Sequence, residues 1–455
     1  MKIRIPHTLI LLLGFMVLAL VLTWLLPAGA FQMTEIAPGR SVVVPGTYAP
    51  LADRTYLPPW ALLTTVPRAF AEAQGVIFFI LLVGGVFGIL RRTEAIEAGL
   101  GALMTRLRGR QTVLVLVATA IFALLSASFG MASEYLAFVT VIVALCAAMK
   151  LDAMVAAGVL LVGYGVGYGA STTNPFTVVV AQEIAGVPLG SGLWFRFIVL
   201  ALAYAVGVHH ILRYVRRAKA EPDRALAPQP QADGAEVGSF PPIDGGRKLV
   251  LALLALTIVV QMAGILIGHW RLPQLGGLFL GLGLAVALVG RIPGDEACQA
   301  FIEGASRLTG TALLVGFARA IGLILEDGQV LHTLVQVTST PLAALPPAVS
   351  GVGMLGIQSF LNIFIPSGSG QAFATMPIMA PVADLVGISR QASVLAFQFG
   401  DGFTNLIIPT NPYLMAVLGL AGVSYGQWVR FVWPLMLKLM GLSAVAMIVA
   451  VQIGL

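Results

Sequence analysis

The tripeptide Thr-Asn-Pro occurs twice, at Thr173-Asn174-Pro175 and Thr410-Asn411-Pro412, and the copies stand 237 positions apart (411 minus 174). The same displacement pairs Gly163 with Gly400, Gly165 with Gly402 and Ala137 with Ala374, and sets Glu134 opposite Gln371. Proline lacks an N–H and suits a first helical turn, while Asn and Thr are good N-caps. Each copy therefore reads as the start of a half-helix. Its unpaired N–H groups can hold an anionic group, and the unwound Gly-rich backbone before it offers carbonyls to a cation. Glu134 and Asp401 lie inside long apolar stretches, where a charge is costly and by default functional. They suit Na⁺, a coupling proton or a substrate ammonium.

Neutral hydrogen-bonding groups surround these acids in sequence: Ser133 next to Glu134, Ser367, Ser369 and Gln371 in Pro366-Ser-Gly-Ser-Gly-Gln371, and Asn405 after Asp401. With Thr173, Asn174, Thr410 and Asn411 they make up the candidate substrate site. Glu134, Gly163, Gly165, Gly400, Asp401 and Gly402 are the candidates for ion coupling, with Na⁺ and a proton both open. Tyr164 and Tyr168 either flank a ligand or line a helix contact. No Gly-Lys-Ser/Thr follows the glycine-bearing turn at 366–371, so it is not a phosphate loop. Cys146 and Cys298 alone make neither a disulfide framework nor a metal cluster, and no cofactor is implied.

The elements that must position these groups follow from composition. Of 455 residues, 58% are apolar and 10% charged, against roughly 45–50% and about 25% in soluble domains. Mean hydropathy is +0.94. This excludes a soluble enzyme and predicts an all-α polytopic membrane protein with room for roughly ten spans. The net charge of +6 reflects basic residues at span ends and does not indicate nucleic acid.

A first span covers 7–24, an outside loop 28–75, and a second span 76–90. Residues 112–149 then form two short apolar arms around the turn 126–134, a re-entrant hairpin flanked by Arg110 and Lys150. An interrupted helix covers 154–185, and 194–213 returns. Residues 215–247 read as a linker, followed by spans over 249–269 and 275–289, an amphipathic helix over 295–308 and a span over 310–325. A second hairpin covers 345–386, a second interrupted helix 393–422, and a last span 429–453. The units are 1–110 and 248–342 as scaffold, 111–214 and 343–455 as transport units, and 215–247 between them. Only Arg40, Arg54, Arg68, Arg196, Arg271 and Arg390 fall outside on this map, which places the N-terminus inside and the C-terminus outside a bacterial inner membrane. The hairpins then enter from opposite faces, as in secondary transporters built from inverted-topology repeats.

Leu395-Ala-Phe-Gln-Phe-Gly-Asp-Gly402, Pro366-Ser-Gly-Ser-Gly-Gln-Ala372, Ser359-Phe with Asn362, Gly130-Met-Ala-Ser-Glu-Tyr-Leu-Ala-Phe138 and Asn174-Pro-Phe-Thr-Val-Val-Val-Ala-Gln-Glu-Ile-Ala-Gly-Val187 resemble carriers of the YfcC type. These belong to the DcuC-like C4-dicarboxylate carrier family of the ion transporter superfamily. The resemblance runs over nearly the whole chain. It implies two opposed hairpins, two broken helices, a homodimer through a scaffold, and an elevator-like movement. The expected function is secondary transport or exchange of a small charged metabolite. A basic amino acid such as arginine or ornithine is favoured, because half-helix N-termini suit a carboxylate while Glu134 and Asp401 suit an ammonium or guanidinium. A Na⁺- or H⁺-coupled C4-dicarboxylate carrier is the alternative. A membrane enzyme or open pore finds no catalytic constellation and no use for paired hairpins.

Overall fold

The computed structural model describes residues 8–37, 40–106, 110–221, 226–227 and 241–455. The chain is all-α apart from one small β-bearing loop. Helix α1 (Thr8–Leu25) leads into β1 (Gly29–Ala30), β2 (Met33–Ala37), β3 (Arg40–Val43) and β4 (Ala49–Pro50), with β1 paired to β4 and β2 to β3, both antiparallel. Next come α2 (Ala61–Arg92), α3 (Ala95–Arg106), α4 (Gln111–Phe129), a 3-10 turn (Ser133–Phe138), α5 (Val139–Ala148), α6 (Ala153–Gly169), α7 (Val178–Ala185) and α8 (Leu193–Ala220). The second half supplies α9 (Gly245–Leu266), α10 (Leu272–Val289), α11 (Gly294–Asp327), α12 (Leu331–Ala343), α13 (Pro347–Leu361), α14 (Gly368–Leu385), α15 (Arg390–Thr404), α16 (Pro412–Ala421) and α17 (Tyr425–Gln452). Among the described residues, seven helices are long and apolar enough to cross a membrane.

The series α2 to α8 and α11 to α17 repeat one plan: a long helix, a short one, a two-armed hairpin, a helix broken in two, and a returning helix. The repeat is local as well as global. Asp152 and Ser389, again 237 apart, are the N-caps of α6 and α15, and each accepts the N–H three residues on, at 3.1 and 3.0 Å. Glycines close both turns in the left-handed region, Gly186 after α7 (φ 65°) and Gly422 after α16 (φ 68°).

Two packed bodies result. Helices α1, α2, α9, α10 and α11 pack together as one, and the hairpins, broken helices, α8 and α17 as the other. Within the second body the repeats interlock, α6 on α15, α7 on α14 and α16 on α5, while α11 meets α14 between the bodies.

Three expectations are corrected. The loop expected over 28–75 ends at residue 60, because α2 starts at Ala61. Its polar residues are held by α11: Arg68 Nη1 lies 2.7 Å from Asp327 Oδ2, and Arg319 Nη2 2.7 Å from Glu72 Oε2, with Glu326 on the other side of Arg319. The break expected near 308–310 is absent, and α11 is continuous over 34 residues. Glycines explain it: a Cβ on Gly88 would stand 2.0 Å from the Ala300 carbonyl oxygen, and one on Gly304 2.2 Å from that of Gly84. This close crossing aligns α2 and α11 backbone to backbone. Finally, the Gly-rich stretches are not unwound. Helix α6 runs through Gly163 to Gly169, and α15 through Gly400 and Gly402; unwinding comes later, at 170–177 and 405–411. A Cβ on Gly165 would stand 2.4 Å from Leu406 Cδ2, and one on Gly402 2.2 Å from Gly169 Cα, so these glycines are needed for close approach.

Candidate functional site

A cavity of about 930 Å³ lies between the two bodies. Its scaffold wall is the Gly84–Arg91 face of α2 and the Gly304–Leu314 face of α11, with Glu97 of α3. Its other wall is made by both hairpin turns, Gly130 to Ala132 and Pro366 to Ser369, together with Tyr164, Tyr168, Asn405 and Pro412 from the two broken helices. Elements far apart in sequence thus deliver their irregular backbone to one place, which is where non-helical chain is tolerated at membrane depth. Arg91, Arg307 and Glu97 are the charged residues of its lining.

The first break is anchored to the end of α4, where Ser126 still accepts the Gly130 N–H at 3.0 Å and the carbonyls of Ala127 and Ser128 are left to other partners. Thr172 and Thr173 N–H donate to the Ala127 oxygen (both 3.1 Å), as does the Ser171 hydroxyl (3.2 Å). The Thr173 hydroxyl donates to the Ser128 oxygen (3.3 Å), and the Asn174 amide to that of Ser126 (3.4 Å). Asn174 Oδ1 accepts Phe176 N–H at 2.8 Å, an Asx turn. The expectation that this motif starts a half-helix is corrected: Thr177 departs from helical dihedrals (φ −126°, ψ −83°), and α7 begins only at Val178. In the second break the expectation holds. Asn411 is the N-cap of α16, with Oδ1 accepting Tyr413 N–H at 3.0 Å and Pro412 in first position, while its amide donates to the Asn405 oxygen at 2.9 Å.

Asp401 stands one layer behind the cavity wall. It is fully buried, and neither carboxylate oxygen meets hydrogen-bond geometry with a described group. Asn405, one turn on, is the amide that approaches it. A Cβ on Gly368 would meet Asp401 Oδ2 at 3.2 Å, Tyr168 OH at 2.6 Å and Thr177 Cγ2 at 2.5 Å, so only glycine lets the second hairpin turn close over this carboxylate. The hydroxyls of Ser369 and Thr177 are likewise buried without partners. Oxygen atoms dominate this cluster, a set suited to a hard monovalent cation. Beside it the Tyr164 ring meets Tyr168 at a tilt (centroids 5.3 Å) and Tyr413 edge to face (4.6 Å).

Other expected residues fall elsewhere. Ser367 is the N-cap of α14, accepting Gly370 N–H at 3.4 Å, so Ser369 and Gln371 are helical residues and do not form the turn. Gln371 does not line the cavity; it is buried in a seam between the hairpin arms, donating to the Gln358 side chain (2.8 Å) and carbonyl (2.9 Å). Thr410 is half-buried with its hydroxyl unpartnered. The side chains of Ser133 and Glu134 lie outside the described residues. Asn362 was not among the site candidates, yet its amide holds the second break through the Asp401 carbonyl (2.8 Å), Thr404 hydroxyl (2.7 Å) and Asn405 Oδ1 (3.1 Å). Arg91, in the last turn of α2, and Arg307, inside α11, were not among the site candidates either, yet both line the cavity.

Known proteins resemble this chain in sequence and in fold. Over 99% of this chain and 97% of its own length, YfcC of Escherichia coli K12, whose name proposes a basic amino acid antiporter, is 33% identical. An uncharacterised Haemophilus influenzae protein is 27% identical over 98% and 97%. The fold matches the Alcanivorax borkumensis YdaH transporter (TM-score 0.73, 21% identity, 99% of both chains) and Neisseria gonorrhoeae MtrF, described among antimetabolite efflux pumps (TM-score 0.74, 18% identity, 99% and 96%). A family model described as C4-dicarboxylate anaerobic carrier matches residues 5–452. The chain is a multi-pass membrane transporter and belongs to the DcuC family.

Proposed function

We propose that the protein is a secondary carrier that exchanges a basic amino acid such as arginine or ornithine across the bacterial inner membrane. The single observation that carries this reading is the unpartnered, buried Asp401 carboxylate behind a thin wall of Gly368 and Tyr168. A cationic group drawn into the cavity finds the tyrosine pair and this negative charge together, while the start of α14, Arg91 and Arg307 offer donors to a carboxylate. Asp401, Ser369 and Thr177 fit a coupling Na⁺, or Asp401 alone a coupling proton; Glu134 is proposed as the counterpart at the first turn. Gly165 and Gly402 serve coupling by letting the broken helices approach each other, and Gly163 and Gly400 by letting the hairpin arms α4 and α13 approach them. Arg91 and Arg307 favour the second reading, a Na⁺- or H⁺-coupled C4-dicarboxylate carrier.

Alternating access follows if the hairpin-bearing body slides as an elevator along α2 and α11. With the N-terminus inside and the C-terminus outside, the end of α2 that carries Arg91 faces the cytoplasm. A homodimer through the scaffold would hold the fixed part, and crosslinking in native membranes tests it.

The deciding experiment is counterflow in proteoliposomes, with thermal stabilisation of the purified protein alongside. Saturable exchange of arginine or ornithine, and stabilisation of about 2.7 kcal/mol at about 100 Kd, are the expected outcomes. Asp401→Asn and Glu134→Gln are each expected to abolish or uncouple exchange while the protein stays folded. Exchange of succinate, fumarate or malate alone would establish the second reading.

A further inference from the structure

We propose that Arg196 holds a small inorganic anion of the chloride class at a joint between the two repeats. Arg196 lies in the first turn of α8, far in sequence from the cavity-lining groups, and is fully buried. Its Nε, Nη1 and Nη2 all lack a hydrogen-bond partner, and no charged group among the described residues acts on it. A guanidinium is charged in essentially every protein setting and carries five donors with no acceptor.

Helical side chains lean back toward the N-terminus, which carries the Arg196 side chain over Gly192, whose carbonyl accepts Arg196 N–H at 3.1 Å. On that face stands Gln391 from the other repeat: a Cβ on Gly192 would lie 3.2 Å from Gln391 Nε2. Gln391 is 4% exposed, its Oε1 accepts from Gln182 Nε2 at 3.0 Å, and its Nε2 has no partner. Donors therefore come from α8 of the first repeat and α15 of the second, and Leu455, whose backbone oxygen accepts from the Ser389 hydroxyl, stands on the same face.

Arg390 provides the contrast. At the start of the same α15, its guanidinium is answered by Asp384 at 2.7 Å and by the Ala185 carbonyl at 3.1 Å. At Arg196 no oxygen among the described residues meets hydrogen-bond geometry with the guanidinium. What completes the site is an acceptor carrying negative charge, small enough for a place where Arg196 has no exposure, which excludes a substrate carboxylate.

The test compares melting of the purified full-length protein in chloride and in gluconate at equal ionic strength. The wild type is expected to melt several degrees higher in chloride, with half-saturation shifted to higher chloride in Gln391→Leu and the difference abolished in Arg196→Met. Crystals of the wild-type protein grown in bromide are expected to show anomalous density within hydrogen-bond distance of the Arg196 guanidinium, which keeps the test open if Arg196→Met fails to fold. Equal melting of the wild type in both anions, a chloride effect unchanged in both variants, or bromide density absent from Arg196 would each overturn the proposal.

Discussion

At the scale of single residues, the site joins charges left open with charges closed by the fold. A buried carboxylate with no partner costs stability, and removing its charge without changing its shape relieves that cost. Asp401→Asn is therefore expected to melt at the same or a higher temperature than wild type while losing exchange; a lower melting temperature with intact exchange would make the carboxylate structural. Asn411 and Asn174 separate capping from anchoring. Asn411→Ala removes an N-cap and is expected to cost about 1 kcal/mol and to weaken apparent substrate affinity, because Pro412 and Asn405 line the cavity. Asn174→Ala loosens the first break from α4, and its affinity change is expected to be the smaller of the two. Equal affinities in wild type and Asn411→Ala would leave the motif a packing device. Away from the spans, His332 Nδ1 accepts Phe31 N–H at 3.1 Å and pins the β-bearing loop to α12. Burial lowers the His332 pKa from 6.5, against an opposing pull from Glu326. The folded protein thus binds fewer protons there than the unfolded chain, so this contribution is complete above about pH 6.5 and fades as pH falls below it. The melting temperature is expected to decline more steeply with acid in wild type than in His332→Gln.

Elements were legible to different degrees. The second Thr-Asn-Pro was readable as a helix start because its cap bond is local, within three residues. The first was misread because its backbone is claimed by the end of α4, more than 40 residues earlier, and nothing in the tripeptide reveals that. Glycine was ambiguous in the same way: Gly163, Gly165, Gly400 and Gly402 suggest loose chain, whereas here they mark where another helix comes too close for a side chain. The polar start of α2 looked like a loop because the partners of Arg68 and Glu72 lie on α11. The glycine crossing of α2 and α11 is the firmest feature of the scaffold. Gly304→Val is expected to lower stability by about 1–3 kcal/mol through its clash with the Gly84 carbonyl, measured by thermal unfolding, whereas Gly310→Ala, with open space around it, is expected to be neutral. A neutral Gly304→Val would mean that the crossing is slack.

At the scale of the whole molecule, the displacement of 237 positions made the duplicated plan readable from two tripeptides and a few glycines. The cavity was not readable, since it exists only where the two bodies face each other. The interlock of the repeats also bears on how the chain is made. Gly169 has its place against Gly402, and the Gln182 side-chain amide donates a hydrogen bond to Gln391 Oε1, so surfaces translated early meet their partners only after most of the polypeptide has left the ribosome. The nascent first half must wait in the bilayer with its polar break uncovered. Cutting the gene within 228–240 is accordingly expected to yield two fragments that are degraded when expressed singly and that assemble when expressed together. Birth of the first half thus depends on a sequence not yet synthesised, and inserting it has to be fast relative to the proteases that survey the membrane.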